Sequence, residues 1–187
     1  RDTALYLSGL LVEQMGGPPV KPYEPPGLWE EKGSESYVRD EGAGSRRRSL
    51  YTFWKRTSPP PAMVTLDATD REVCVVQRQT TATPLQALVL LNDPQYVEAA
   101  RAAAESVLLE RENSVSEQIG KLFRLFIGRT PLDSELQLLE KLYAEQYAGF
   151  RVSPAAAKEF LTVGDHRSDE SLDPAKLAGM TVVAEAV

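Results

Sequence analysis

The chain has 187 residues, of which 42% are hydrophobic and 26% charged, proportions that are usual for a globular domain. The net charge of −6 lacks the basic excess that phosphate backbones demand, so we expect no nucleic-acid partner. The longest apolar run, residues 87–91, is too short to cross a bilayer, and the single cysteine excludes an internal disulfide.

The first part of the chain combines one predicted helix with a long proline-rich segment. Apolar residues at helical spacing from Asp2 to Gln14, followed by Gly16 and Gly17, predict a helix within residues 1–16. Residues 17–82 contain eight of the thirteen prolines but also several aromatic side chains, which a pure linker would lack. We therefore expect an extended segment that wraps a helical core. Short extended pieces are predicted at residues 49–55, 62–66 and 72–76, with a solvent loop at 33–45 and burial of Leu50, Phe53 and Trp54.

The second part, residues 83–187, is predicted to be a series of helices. Each of its five prolines follows a residue that can cap a helix, and proline fits the first helical position because its missing N–H would be unpaired there. These pairs are Thr83-Pro84, Asp93-Pro94, Thr130-Pro131, Ser153-Pro154 and Asp173-Pro174. Capping boxes are predicted at Thr83 with Gln86 and at Ser114 with Glu117, and Gly128 is predicted to end a helix. The polar residues 163–172 are expected to form a mobile loop.

These elements predict a mostly α fold, an irregular helical bundle with a proline-rich extended wrapping segment and minor β structure. We expect one domain over residues 1–187, made of the helix at 1–16, the extended aromatic segment at 17–82 and the helical part at 83–187. The chain starts and stops inside helical patterns, so we interpret it as a fragment of a longer protein.

The acidic bend LDATDRE contains the candidate catalytic residues Asp67, Asp70 and Glu72. Closely spaced carboxylates could act as an acid–base pair or ligate a hard cation, although the order required for a helix-loop-helix calcium site is missing. The alternative is a local turn in which each aspartate accepts hydrogen bonds from nearby backbone N–H groups. We favour the turn and assign no metal site.

Polar residues ahead of the helix at Pro84 form a second candidate site. Arg71, Arg78, Thr80 and Thr83 could hold a sulfate, a phosphate or a carboxylate against the open N–H groups of that helix. The alternative is an ordinary helix cap, with the arginines paired to the acidic bend. We favour the cap because Thr83 already supplies it.

The tryptophans Trp29 and Trp54 could stack on a sugar ligand, but buried aromatic side chains are also ordinary core, and we favour core packing. Cys74 lies among valines, so we expect a buried residue rather than a nucleophile. His166, the only histidine in the sequence, lies in the polar run GDHRSDES, and one histidine excludes most multi-histidine metal sites.

Residues 47–101 read RRSLYTFWKRTSPPPAMVTLDATDREVCVVQRQTTATPLQALVLLNDPQYVEAAR and closely resemble the C-terminal domain of unknown function (the DUF1553 or PSD1 type) of large planctomycete secreted proteins. The runs RDTALYLSGLLVEQMGGPPVKPYEPPGLWEE, LFRLFIGRTPLDSEL and LAGMTVVAEAV extend the resemblance over nearly the whole chain. The resemblance implies an extracytoplasmic, multidomain protein that often includes a cytochrome-c-like domain. It implies no catalytic residue. No haem-attachment motif is present here, so any haem would belong to a separate domain and we expect no cofactor in this fragment.

The sequence thus favours a non-catalytic scaffold or a ligand- or partner-binding module of a large secreted or cell-envelope protein. Its expected partners are other domains of the same polypeptide, with an extracellular glycan as a second candidate. The alternative is part of an extracellular enzyme that acts on glycans or sulfated polysaccharides through the acidic bend and its arginines.

Overall fold

The structure, a computed structural model, describes residues 1–32, 36–69, 71–110 and 114–187. Within these ranges it contains eight α-helices and three short 3-10 helices, while the extended pieces form only isolated bridges. The predicted fold class, mostly α with minor β, is therefore confirmed. Two compact units can be distinguished, and the expectation of a single domain stays a prediction. One unit comprises Arg1–Asp2 and Leu11–Asp93, and the other comprises Thr3–Leu10 and Pro94–Val187.

The first unit contains two helices, α2 (Pro61–Thr65) and α3 (Pro84–Asn92), which pack on each other, and is otherwise irregular. The side chain of Arg47 is buried and organises the proline-rich segment. Its guanidinium donates to the carbonyl oxygens of Gln14 and Pro18, each at 3.0 Å, and lies 3.9 Å from the centroid of the Tyr51 ring. The buried Arg47 thus helps to hold the proline-rich segment, because a buried guanidinium requires acceptors for its N–H groups.

The second unit is a bundle of helices. Helix α8 packs against α4, α5 and α6, α5 also packs against α4 and α6, and α7 contacts α6 and α8. Apolar side chains with little or no solvent exposure fill the centre, among them Ile119, Leu122, Leu177, Met180 and Val183. Alanines on α4 allow close approach of its neighbours, and α4 is buried around most of its circumference. The bounds are α1 (Asp2–Leu7), α4 (Pro94–Leu109), α5 (Val115–Ile127), α6 (Asp133–Val152), α7 (Pro154–Phe160) and α8 (Pro174–Ala186).

The predicted helix ends are largely confirmed. Both capping boxes form, at Thr83 with Gln86 and at Ser114 with Glu117, and Gly128 ends α5 with a left-handed φ of 79°. Four of the five marked prolines occupy the first position of α3, α4, α7 and α8. The exception is Pro131, which lies two residues before α6, because Glu135 instead accepts the backbone N–H of Leu132 at 2.8 Å. None of the helices in the described ranges has the length and apolar character needed to cross a membrane.

Several local predictions are wrong. Helix α1 ends at Leu7 rather than Gln14, since Gly9 already adopts a left-handed φ of 73°. Residues 62–66 were expected to be extended, but Pro61 starts α2 there, and residues 49–51 form a 3-10 helix that leaves Leu50 exposed. Phe53, which was also expected to be buried, is 36% exposed, and Trp54 is half-buried. Part of the predicted loop at 33–45, residues 33–35, lies outside the described residues.

Candidate functional site

Asp67 closes the base of a loop that contains residues 71–80. Its carboxylate accepts the backbone N–H of Thr81 at 2.7 Å, the hydroxyl of Thr81 at 2.9 Å and the side-chain amide of Gln86 at 3.0 Å. The hydrogen bond from the Thr81 backbone, followed by the one from its hydroxyl, holds the pKa of Asp67 below its usual value. Asp67 also adopts a left-handed φ of 61°, which aspartate tolerates better than most residues.

Gln86 connects this carboxylate to the start of α3. Its side-chain amide oxygen accepts the backbone N–H of Thr83 at 3.0 Å, while the amide nitrogen donates to the carbonyl of Thr65 at 2.9 Å. The Thr83 hydroxyl in turn accepts the backbone N–H of Gln86 at 3.3 Å. Thr83 is therefore a structural cap. The Asp67 carboxylate ties the chain at residue 67 to Thr81 and to Gln86 near the start of α3.

The other candidates around the bend have separate surroundings. The guanidinium of Arg71 lies 4.8 Å from the centroid of the Trp54 ring, and Arg78 is near enough to Asp67 to contribute to its lowered pKa. Glu72 and Thr80 are exposed, and Asp70 lies outside the described residues. Among the residues that the structure describes, no three His, Cys, Asp or Glu side chains converge as a metal site would require.

Trp29 belongs to a buried aromatic cluster of the first unit. Its ring meets Tyr37 edge-on at 5.0 Å between centroids, and the ammonium of Lys55 lies 4.2 Å from its centroid. The indole N–H donates to the carboxylate of Glu24 at 3.2 Å. Burial raises the pKa of Glu24 to about 7. Trp29 is therefore a core residue, and the structure gives it different partners from those of Trp54.

Cys74 is exposed, which overturns the expectation that it would be buried. The neighbouring Val73, Val75 and Val76 are exposed as well. The physical reason is the closure at Asp67 and Thr81, which leaves Cys74 and its valine neighbours on an exposed loop. A run of β-prone apolar residues suggested burial, but burial depends on the partner that covers the run.

A second polar network, which sequence reasoning missed, lies on α4. The side chain of Arg101 is only 1% exposed. It donates to three carbonyl oxygens at the end of α7 and in the loop after it, those of Leu161, Val163 at 2.8 Å and His166 at 2.5 Å. Glu98 accepts the backbone N–H groups of Asp165 and His166 at 3.0 and 2.5 Å. The loop expected to be mobile is thus bonded to a buried face of α4.

Glu105 completes this network by accepting the backbone N–H of Asp169 at 2.7 Å, and one of its oxygens lies 3.0 Å from Nε2 of His166. Gly164 allows the close approach, since its φ is +86° and a Cβ there would lie 2.7 Å from Cβ of Glu98. A groove of about 920 Å³ runs along this loop, with cationic and anionic side chains interspersed in its lining. The signal available in the sequence was three charges at i, i+3 and i+7 within an alanine-rich helix, which places them on one face.

Comparison with protein families identifies a match. Residues 1–143 match the family model described as PSD1, protein of unknown function (DUF1553). No curated protein and no solved structure shows significant similarity to this chain.

Proposed function

The chain belongs to the PSD1 family of proteins of unknown function, and we propose that it serves as a non-catalytic partner-binding module of a larger secreted or cell-envelope protein. The extracytoplasmic placement and the additional domains follow from the sequence resemblance alone. The observation that carries the proposal is an unusual exposed surface on the first unit.

That surface, here called the apolar segment, is formed by residues 71–92. All but two of these 22 residues, Gln86 and Val89, are exposed. Seven of the exposed side chains are large and apolar, namely Val73, Val75, Val76, Leu85, Leu88, Leu90 and Leu91. Between residues 73 and 92 the only charged side chain is that of Arg78. A stretch with this many exposed apolar side chains is typical of an interaction site.

The energetic consequence of leaving this surface in water is appreciable. The four leucines of α3 are between 44% and 58% exposed. Full burial of a leucine is worth roughly 1.5–3 kcal/mol, so covering the exposed halves of all four would contribute about 4 kcal/mol. A gain of this size is enough to bias association with a protein partner by about 1000-fold.

The charged groups support a structural role rather than catalysis. The oxygens of Asp67 hold Thr81 and Gln86, and on α4 the side chains of Glu98 and Arg101 hold the loop that follows α7. Each network fixes backbone geometry. An acid or base that acts on a substrate would instead need an oxygen or nitrogen directed into an open cleft.

Limited trypsin digestion tests the proposal, because Arg71 and Arg78 lie in the apolar segment and are exposed. The chain alone should be cut rapidly after both residues, and the longer polypeptide should resist cutting there because its partner surface covers the segment. A useful comparison is Arg151, which is exposed on α6 and outside the segment, so its cleavage should be the same in both proteins. Equal cleavage at Arg71 and Arg78 in both proteins would refute the proposal.

The rival function is part of an enzyme that acts on glycans or sulfated polysaccharides. The observation in its favour is the guanidinium of Arg71 over Trp54, because an aromatic ring beside a cation can hold a sulfated sugar. Titration with heparin as the probe tests it. The rival predicts saturable binding that Arg71→Ala weakens, together with loss of turnover in Asp67→Asn, whereas the module predicts neither.

A further inference from the structure

The side chain of one lysine in the first unit lies among three aromatic side chains, here called the aromatic cluster. The Lys21 ammonium is near three ring centroids, those of Trp29 at 5.3 Å, Phe53 at 5.5 Å and Tyr37 at 5.9 Å. At such distances the electron-rich face of a ring attracts a cation. Within the described residues, Lys21 forms no ion pair with a carboxylate. The aromatic rings are therefore the partners of this cation.

The carboxyl group of Glu24 lies at the edge of the same cluster and has few hydrogen-bond donors. Glu24 is 7% exposed, and the indole N–H of Trp29 donates to one of its oxygens at 3.2 Å. Within the described part of the chain this is the one hydrogen bond of the carboxyl group, although an ionised carboxylate can accept about four. A buried carboxylate with a single donor is costly, so this arrangement suits the neutral acid.

The charge of Lys21 acts on this carboxyl group. Burial raises the pKa of Glu24 to about 7, against smaller opposite effects from the Trp29 hydrogen bond and from the positive charge of Lys21. A second ammonium, that of Lys55, lies 4.2 Å from the centroid of Trp29. Two lysines therefore contact one indole ring, but the cation that favours ionisation of Glu24 is Lys21.

We propose that Lys21 and Glu24 form a pH-sensitive switch, in which the Lys21 ammonium lies against the aromatic cluster while Glu24 is neutral and moves to the carboxylate when Glu24 ionises. The physical reason is that two partners compete for one cation. A neutral acid offers the ammonium only a dipole, so the contact with the rings is preferred. A buried carboxylate without a partner costs more than a cation–π contact contributes, so the ion pair is preferred after ionisation.

The backbone around Lys21 is anchored, so the switch moves a side chain rather than the chain itself. The backbone N–H of Lys21 donates to the carboxylate of Asp40 at 2.7 Å, and its carbonyl accepts the backbone N–H of Asp40 at 2.8 Å. The preceding residue, Val20, forms backbone hydrogen bonds with Tyr51 and Phe53, each at 2.8 Å. The flexible four-carbon stem of a lysine can turn about its own bonds while these contacts persist.

Other charged or titratable groups near the cluster have separate roles. Burial, followed by the negative charges of Glu24 and Asp40, raises the pKa of Tyr37, while Arg1 acts on it in the opposite direction. The phenol of Tyr37 is therefore neutral near pH 7 and does not compete with Glu24 for the ammonium. Lys55 lies against Trp29 and keeps that ring in contact with a cation when Lys21 leaves. The departure of Lys21 uncovers the rings of Tyr37 and Phe53.

Nuclear magnetic resonance of the chain labelled with ¹³C-lysine tests the switch, because aromatic rings displace the resonances of protons beside them. In a titration from about pH 5 to about pH 9, the Lys21 protons next to the ammonium should be ring-shifted at low pH and lose that shift with a midpoint near pH 7. The Lys55 protons should keep their shift. In Glu24→Gln the Lys21 protons should stay ring-shifted at every pH. Lys21 resonances that do not move in the unaltered chain, or that move together with those of Lys55, would overturn the proposal.

Tryptophan fluorescence in a Trp54→Phe background, which leaves Trp29 as the single tryptophan, gives a second measurement. Lys21→Met keeps an apolar stem against the rings but removes the cation that favours ionised Glu24, so the midpoint should rise by about 1 pH unit. The matched control is Lys55→Met, which removes the other cation from the same ring and should leave the midpoint unchanged. Equal midpoints in the two variants would contradict the switch. The resonance measurement on the unaltered chain needs no substitution, so the test does not depend on the folding of any variant.

Discussion

Replacing Arg101 by methionine tests how the second unit holds its loop. Methionine has similar length and keeps the apolar packing of the side chain, but it donates no hydrogen bond. The carbonyls of Leu161, Val163 and His166 would lose their donor in a place where Arg101 is only 1% exposed. A buried polar group without a partner costs about 1–3 kcal/mol, and removal of a buried charge that others depend on costs about 3–5 kcal/mol.

We therefore expect Arg101→Met to lower the free energy of unfolding by about 3–5 kcal/mol, and the melting temperature by roughly 6–20 °C for a chain of this length. Urea denaturation followed by circular dichroism measures the free energy. The control is Lys141→Met, which removes an exposed cation 3.9 Å from Glu145 and should change stability by less than about 0.5 kcal/mol. A loss below about 1 kcal/mol for Arg101→Met would show that the loop does not depend on the guanidinium, and would refute this reasoning.

Further substitutions, at Gly164, Glu24 and Asp67, probe other parts of the structure. Gly164→Ala should destabilise the chain by about 2–4 kcal/mol, because it forces a left-handed φ and a clash with the side chain of Glu98, whereas Gly120→Ala, with open space around a helical position, should stabilise it by about 0.5–1 kcal/mol. The fluorescence of Trp29 should titrate with a midpoint near pH 7, the pKa of Glu24, and Glu24→Gln should abolish that transition. Asp67→Ala should speed hydrogen exchange of the Thr81 amide much more than Asp67→Asn does, because asparagine tolerates the left-handed φ and can still accept from Thr81.

The sign of the Glu24 effect follows from its raised pKa. The folded protein holds the proton more tightly than the unfolded chain, whose glutamate titrates near 4.5. The stability contributed by the protonated form is fully present below pH 4.5 and is lost as the pH rises through about 7. Glu24→Gln should remove this dependence and leave the protein more stable above pH 7. A stability curve that rises between pH 5 and 7 because of Glu24 would contradict the assignment.

Features that depend on a few neighbouring residues were predictable from the sequence. The capping boxes at Thr83 and Ser114, and the left-handed Gly128, are set by residues within one turn of the helix end, so their spacing in the sequence specifies them. Asp67 was expected to form a local turn, but its carboxylate accepts from Thr81, 14 residues further along the chain, so the predicted partner is wrong. Local chemistry is visible in a sequence because the partners are a few residues apart.

Features that depend on distant partners were not predictable. Arg101 lies some 60 residues before the carbonyls that it binds, and nothing in the spacing identifies them. Cys74 was expected to be buried because valines flank it, but those valines have no core to join in this chain. Residues 62–66 resembled a strand, yet the proline at position 61 starts a helix that packs on α3. Burial and long-range pairing are properties of the fold rather than of the local sequence.

Hydrogen exchange, measured residue by residue in the chain alone and in the larger polypeptide to which we propose it belongs, tests the central claim most directly. The claim is that buried charged side chains of α4 hold the backbone of the loop after α7, while the apolar segment is a binding surface for a partner. The amides of His166 and Asp169, which donate to Glu98 and Glu105, should be protected equally in both proteins. The amides of residues 73–80 should exchange freely in dilute chain and slowly in the longer polypeptide. Free exchange of residues 73–80 in both proteins would contradict the account.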